Sequence, residues 1–261
     1  MAHTKGHSQA DYLKLIAEMV ARYKQRTYEL MGVAPGQRVL DVGCGPGTDT
    51  IPLAKIVGAG GQVIGIDVAE QQIELAQRRS VEAGVQNWTE HRLGDGSSLP
   101  FDANYFDSAR SERVFQHTDS PDRLLSEMIR VTKVGGQIVV LDTDWSTMTV
   151  DTELVDIEQR IKRFHVEKGF RNGYSGRKLY RMFVESGLED ISVEIAPTYV
   201  TDYQIGRRGA LLDETEEAAL AAGVISQEEL DVWRLALENS DLRGMYFAAI
   251  LQMMVSGRKP K

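Results

Sequence analysis

Short apolar runs alternate with amphipathic stretches along the first half of the chain. Arg38–Val42, Gln62–Asp67 and Gln137–Asp142 are rich in Val, Ile and Leu, which is typical of strands buried on both faces of a sheet. Ala69–Ala83 and Pro121–Val131 repeat apolar residues at helical spacing. Strands that alternate with helices predict βαβ units around a parallel sheet. Further elements are predicted at Thr48–Val57 (helix), Trp88–Leu93 and Phe106–Ser111 (strands).

The pattern changes in the second half of the chain. Ile191–Ile195 and Met245–Val255 predict two more strands, and the long stretch between them is charged and has a helical pattern. Connections of this length usually carry a function, so we predict a helical insert over residues 198–243 that covers the sheet. Residues 146–174 and the amphipathic residues 9–31 are predicted to complete this cover.

Composition narrows the classes of function. The 261 residues are 42% hydrophobic and 26% charged, as in an ordinary globular protein. A net charge of −8 argues against a nucleic acid partner, which needs clustered Lys and Arg. The chain has no long apolar stretch and no secretory signal, so we expect a cytoplasmic protein without a membrane partner. One cysteine, Cys44, and five scattered histidines do not give the spacing of a metal site.

A glycine-rich loop follows the first predicted strand in the sequence VLDVGCGPGTDT. Gly43, Gly45 and Gly47 alternate with other residues, and no lysine follows as a phosphate-binding P-loop requires. The spacing also differs from the G-x-G-x-x-G of dinucleotide-binding folds. Asp41 would oppose a pyrophosphate and would suit a ligand that carries an ammonium group. A simple turn between strand and helix would also explain the glycines.

Two acidic positions follow the second and third strands. Asp67 ends a strand about two dozen residues after the glycine loop, where an acid can accept hydrogen bonds from ribose hydroxyls. Asp95, between Gly94 and Gly96, could accept a hydrogen bond from an adenine amino group. Taken singly, Asp67 could be a helix N-cap and Asp95 an ordinary Asp-Gly turn. Together with the loop they predict a nucleoside pocket without a phosphate cradle, which fits S-adenosylmethionine.

Three stretches resemble the class I S-adenosylmethionine-dependent methyltransferases of the small-molecule branch, which includes ubiquinone/menaquinone-type and natural-product enzymes. They are VLDVGCGPG, GQVIGIDVAEQQIELAQ and the run from GDGSSLPF to IVVLDTDW, which span roughly residues 36–145. The resemblance implies an α/β fold with a Rossmann-like, doubly wound seven-stranded sheet. The sheet would be mostly parallel with the last strand antiparallel, and it would have N-terminal helices and a helical insert between strands six and seven.

The resemblance also divides the chain and assigns residues to the cofactor. Residues 1–34 would be an N-terminal helical cover, residues 35–145 the cofactor-binding core, and residues 146–261 the rest of the sheet with its inserts. Val68 would lie against the adenine, Gln72 near the ribose and Ser111 beneath the methionine part. The predicted cofactor residues are Asp41, Gly43, Gly45, Gly47, Asp67, Val68, Gln72, Gly94, Asp95, Gly96 and Ser111.

Candidates for catalysis follow strands four and five. In similar O-methyltransferases a histidine and an acid at these places act together, so His117 would be the general base and Asp144 would orient it. His117 could instead be structural and bond to a loop carbonyl. Arg113, Tyr12 and Tyr174 are predicted to contact the substrate.

The resulting hypothesis is methyl transfer from S-adenosylmethionine to a small organic molecule. The sequence leaves open whether oxygen, nitrogen or carbon is methylated, and whether the protein is a monomer or a homodimer. A cofactor-binding protein with little or no turnover and a methyltransferase acting on a macromolecule stay as alternatives. A dehydrogenase is disfavoured by the glycine spacing.

Overall fold

Seven strands and the helices around them make up the computed structural model, which describes residues 21–210 and 212–261. Residues 21–31 are helical (α1). The elements that follow are β1 Arg38–Val42, α2 Thr50–Val57, β2 Gln62–Asp67, α3 Glu70–Glu82, β3 Thr89–Leu93, β4 Phe106–Glu112, a 3-10 turn Phe115–His117, α4 Pro121–Val131, β5 Thr132–Val150, α5 Val155–Lys168, α6 Ser175–Glu185, β6 Glu189–Val200, α7 Tyr203–Gly209, α8 Leu212–Ala221, α9 Gln227–Leu242 and β7 Ala248–Arg258.

The strands form one sheet in the order β3-β2-β1-β4-β5-β7-β6. Strands β1 to β5 pair in parallel, and β7 runs antiparallel to both β5 and β6. The predicted fold class is therefore confirmed, including the antiparallel last strand and the helical insert, α7 to α9, between β6 and β7. The strand order reverses between β1 and β4, and ligands of such sheets bind beyond the carboxyl ends of the strands at this point.

Both faces of the sheet are buried, which explains the continuous apolar runs. On β1, Leu40 and Val42 belong to the core on one face, with α4 and α6, whereas Val39 belongs to the core on the other face, with α1 and α2. A third core lies between the insert and α5, where Trp233 is almost completely buried in the same cluster as Ile161 of α5. The insert is thus a packed layer that shares an apolar centre with α5 and the ends of β5 and β7.

Strands β5 and β6 are longer than the sequence pattern predicts, and β7 is shifted by three residues toward the C-terminus. Strand β5 continues past Asp142 to Val150, and β7 begins at Ala248 because Met245 lies outside the ladder and is exposed. A register shift between Asp144 and Thr149 of β5 separates two stretches that both pair with β7. Backbone pairing does not require apolar side chains, so the hydrophobic pattern did not reveal this extension.

Within the described ranges, 21–210 and 212–261, the helices are all too short or too polar to cross a lipid bilayer.

Candidate active site

A cavity of about 760 Å³, here called the first cavity, opens at the carboxyl ends of β1 to β4. Each of these strands delivers residues to its wall directly after the strand ends. The walls include Gly43, Asp67, Val68, Asp95, Gly96 and His117. Its volume lies in the range of small-molecule sites.

The glycine loop folds back onto β2. Gly43 and Cys44 both donate their backbone N–H groups to the carbonyl oxygen of Ile66, at 2.7 and 3.0 Å, and Gly45 donates to a carboxylate oxygen of Asp67 at 2.8 Å. The loop and the acid therefore form one unit, although 22 residues separate them in the sequence.

The glycines serve different purposes. Gly43 has a φ of 74°, and a Cβ atom there would lie 2.1 Å from a methyl carbon of Val114. The space beside Gly43 is therefore filled by the protein. Gly45 also has a positive φ, 50°, but among the described residues nothing lies within 4 Å of the position of its Cβ atom. The space beside Gly45 is therefore open, whereas the space beside Gly43 is filled.

This difference predicts unequal effects of two alanine substitutions. Both Gly43→Ala and Gly45→Ala introduce a side chain at positive φ, at a cost of roughly 1–2 kcal/mol. Gly43→Ala also drives a methyl group into Val114, and overpacking of this kind costs about 1–3 kcal/mol more. We expect urea denaturation to show Gly43→Ala as the less stable variant; equal stabilities would contradict the packing seen at Val114.

Asp67 is held firmly and still faces the first cavity. Its carboxylate accepts hydrogen bonds from the backbone N–H groups of Gly45 at 2.8 Å and Ala69 at 2.9 Å. A carboxylate offers about four lone-pair positions, so acceptor capacity is left for two hydroxyl groups. Asp95 has a similar arrangement, because one of its oxygens accepts from the backbone N–H of Ser97 at 2.8 Å.

A buried cluster of five charged side chains lies behind this wall. Arg110, in the middle of β4 and 1% exposed, contacts Asp41 at 3.3 Å, Asp49 at 3.0 Å and Glu112 at 2.7 Å. Lys24 of α1 contacts the same Asp49 and Glu112 at 2.6 and 2.8 Å. Asp41, predicted to meet a ligand ammonium group, is placed in this cluster and is buried. Its observed partner is Arg110.

His117 lies at the end of a hydrogen-bonded chain. The indole nitrogen of Trp145 donates to Oε1 of Gln116 at 2.9 Å, and Nε2 of Gln116 lies 2.9 Å from Nε2 of His117. An indole N–H can only donate, so the amide of Gln116 is oriented with its NH₂ group toward the histidine. The Nε2 atom of His117 therefore accepts this hydrogen bond, and its proton resides on Nδ1.

The electrostatic surroundings keep His117 neutral. Burial lowers the pKa of the His117 imidazole, and the positive charge of Arg113 lowers it further. At pH 7 the imidazole is therefore neutral: Nδ1 carries a proton that can be donated, and Nε2 accepts the hydrogen bond from Gln116.

The acids after β5 are also engaged. Asp144 is 1% exposed and pairs with Arg177, and it accepts a hydrogen bond from the hydroxyl of Ser146 at 2.6 Å. Asp142 accepts one from the hydroxyl of Ser175 at 2.7 Å, and burial raises the pKa of Asp142 to about 6. The predicted contact between His117 and Asp144 is not formed, because each group is bonded to other partners.

A second cavity of about 310 Å³ adjoins the first. It lies between the extended ends of β5, β6 and β7 and the helices α7 and α8 of the insert. Most of its wall is apolar or aromatic, and Trp145, Met148, Tyr199, Ile205, Leu212 and Tyr246 contribute to it. Glu112, Arg113 and Gln116 line both cavities, so the two spaces meet at these side chains.

The other predicted residues are more scattered. Gly94 lines the first cavity, and Gly47 has a positive φ beside Thr50. Ser111 is buried on β4 next to Val42, and no partner for its hydroxyl is found among the described residues. Five of the predicted residues have side chains that line neither cavity: Asp41, Gln72, Ser111, Asp144 and Tyr174. Tyr12 lies outside the described residues.

Sequence reasoning missed the charged cluster and the role of Gln116. One available signal was Arg110, a charged residue inside a strand whose neighbours are buried, since such a charge needs partners. Asp49, directly after the glycine loop, carried no comparable signal.

Comparisons with known proteins identify the family of this fold. A family model described as a methyltransferase domain matches residues 40–140. An uncharacterised 37.1 kDa protein in transposon Tn4556 of Streptomyces fradiae is 32% identical over 249 residues, which covers 95% of this chain and 70% of that relative. A demethylmenaquinone methyltransferase of Staphylococcus aureus (strain MRSA252) is 39% identical over 130 residues, 49% of this chain and 52% of the relative. The match thus spans about half the length of that enzyme.

Solved structures share the fold. A geranyl diphosphate C-methyltransferase from Streptomyces coelicolor A3(2), in complex with Mg²⁺, geranyl diphosphate and S-adenosyl-L-homocysteine, superposes with a TM-score of 0.62 at 17% identity. The superposition covers 99% of this chain and 86% of that one.

Proposed function

This chain belongs to the class I S-adenosylmethionine-dependent methyltransferases, and we propose that it methylates a small, mainly apolar organic molecule bound in the second cavity. The observation that carries the proposal is the junction of two cavities of different character. One has mixed polar and apolar walls at the carboxyl ends of the strands, and the other is mainly apolar and lies against the insert.

The first cavity fits S-adenosylmethionine, the cofactor of this family. Asp67 retains acceptor positions for the ribose hydroxyls, and Asp95 retains an oxygen for the adenine amino group. Val68 is 73% exposed at the cavity wall and offers an apolar surface to the adenine. When bound, the cofactor supplies an electrophilic methyl group on a sulfonium.

The protein's contribution to methyl transfer is mainly alignment. A displacement of this kind requires the acceptor atom and the methyl group in line, and holding two reactants in that geometry lowers the barrier by several kcal/mol. The apolar wall would bind the acceptor body and exclude water. Glu112, Arg113 and Gln116 stand where the two ligands would meet.

Calorimetric titration with S-adenosylmethionine and S-adenosylhomocysteine tests the cofactor assignment directly. A second assay follows transfer of a labelled methyl group to a panel of small apolar acids, phenols and amines. Absence of binding to both nucleosides would overturn the proposal. Binding without transfer to any acceptor would favour a protein that kept the cofactor site and lost turnover, and transfer to a protein or nucleic acid alone would remove the second cavity from the mechanism.

A further inference from the structure

Arg113 occupies an unusual position at the junction of the two cavities. Its φ is 55°, in the left-handed region that a residue with a side chain rarely adopts. The backbone is fixed there by a hydrogen bond from the N–H of Arg113 to the carbonyl oxygen of Leu141 at 2.8 Å. A strained conformation at a cavity wall is a feature that often accompanies function. Here it places a guanidinium group where cofactor and acceptor would meet.

The charge of Arg113 is poorly compensated. Its nearest carboxylate oxygen, Oε1 of Glu112, lies 3.7 Å away, which is beyond hydrogen-bonding distance. The other oxygen of Glu112 already accepts from Arg110 and Lys24, at 2.7 and 2.8 Å. Within the described part of the chain the guanidinium has no hydrogen-bond partner, and its side chain is 59% exposed.

Among the residues that the structure describes at this junction, each candidate base is already engaged by other groups. The free electron pair of His117 accepts from Gln116. The carboxylate of Glu112 is bound by Arg110 and Lys24, and that of Asp144 is bound by Arg177 and Ser146. An acceptor that loses its proton before it binds needs no such base.

These observations together identify a class of acceptor. Building on the methyltransferase function proposed above, we propose that the acceptor is an apolar weak oxygen acid, such as a phenol, which binds as its anion with Arg113 as counter-ion. The ionised oxygen displaces the sulfur at the methyl carbon, so a C–O bond forms and a C–S bond breaks. The sulfur keeps the electron pair of the broken bond. One negative and one positive charge disappear together, and no proton is transferred.

The preference for an anion can be measured without turnover by using 4-nitrophenol, whose ionised form is coloured. The protein is saturated with S-adenosylhomocysteine, and the bound probe is titrated by absorbance. We expect the pKa of bound 4-nitrophenol to fall by about one unit, which is a tenfold preference for the anion. Wild-type protein should also bind the phenolate more tightly than the uncharged 4-nitroanisole.

Variants assign the preference to Arg113. Arg113→Met keeps a long side chain and the same backbone cost at positive φ, so we expect it to bind S-adenosylhomocysteine normally and to lose the tenfold preference. Arg113→Lys should retain part of it. Arg78→Met, at an exposed position of α3, is the matched control and should behave as wild type.

Three results would overturn this inference. They are an unshifted pKa of the probe in wild-type protein, a shift that persists in Arg113→Met, and equal binding of phenolate and 4-nitroanisole. Loss of S-adenosylhomocysteine affinity in Arg113→Met with the anion preference intact would assign Arg113 to the cofactor instead. Failure of wild-type protein to bind S-adenosylhomocysteine would overturn the proposed function, and the probe titration without cofactor would then still report on Arg113.

Discussion

Replacement of Arg110 with methionine is expected to lower the free energy of unfolding by about 3–5 kcal/mol, the usual cost of removing one partner from a buried charged cluster. Three carboxylates, those of Asp41, Asp49 and Glu112, converge on this guanidinium, which is 1% exposed. Without it, Lys24 is the one remaining cation of the cluster. Urea denaturation followed by circular dichroism measures the change.

Asp41→Asn is the informative comparison, because it removes a negative charge from a cluster that has three carboxylates and two cations. Burial raises the pKa of Asp41 to about 7, although Arg110 opposes this. The folded state therefore holds this proton more tightly than the unfolded state does. The stability from this group is present below its ordinary pKa, near 3.8, and is lost as the pH rises toward 7.

Asp41→Asn cannot show that loss, so its stability relative to wild type should improve as the pH is raised from 4 to 8. We expect it to be far less destabilised than Arg110→Met at pH 8. Equal destabilisation by the two substitutions would mean that the cluster needs Asp41 ionised. A large loss of cofactor affinity in a stable Asp41→Asn variant would support the sequence-based prediction that Asp41 meets the ligand ammonium group.

Strands β1 and β2 could be predicted to the residue. Arg38–Val42 and Gln62–Asp67 are observed with the predicted bounds, because strands buried on both faces must be apolar throughout. Strand β5 was predicted only as far as Asp142. Its continuation to Val150 rests on backbone pairing with β7, and the side chains there need not be apolar.

The residues that line the first cavity were easier to predict from the sequence than those at the junction of the two cavities. Asp67 and Asp95 follow strands directly, and their place in the fold follows from the order of elements. The orientation of His117 depends instead on Gln116 and on Trp145, which lies on another strand. Contacts of this kind depend on side-chain geometry across elements and leave no periodic trace in the sequence. The packing of Val114 against Gly43 is a contact of the same kind.

Replacement of Asp67 with alanine is expected to weaken binding of S-adenosylhomocysteine by roughly 100- to 10,000-fold. Hydrogen bonds to a charged acceptor contribute about 1.5–3 kcal/mol each, and two ribose hydroxyls would lose theirs. The backbone N–H groups of Gly45 and Ala69 would also lose their acceptor, so part of the effect would come from a loosened glycine loop. Calorimetric titration gives the affinity, and Asp102→Ala, at an exposed loop position, serves as the matched control.

The two contributions of Asp67 can be separated with a pair of nucleosides, 5′-methylthioadenosine and its 2′-deoxy analogue. If Asp67 binds the ribose, wild-type protein should prefer the hydroxylated nucleoside by about tenfold, since one hydrogen bond to a charged group is lost in the analogue. Asp67→Ala should bind both nucleosides equally, because its partner for the hydroxyl is gone. A loosened loop would weaken both nucleosides alike and leave their ratio unchanged. An unchanged ratio in Asp67→Ala would therefore mean that Asp67 does not bind the ribose. Its role would then be to hold Gly45 against the end of β2 through their hydrogen bond.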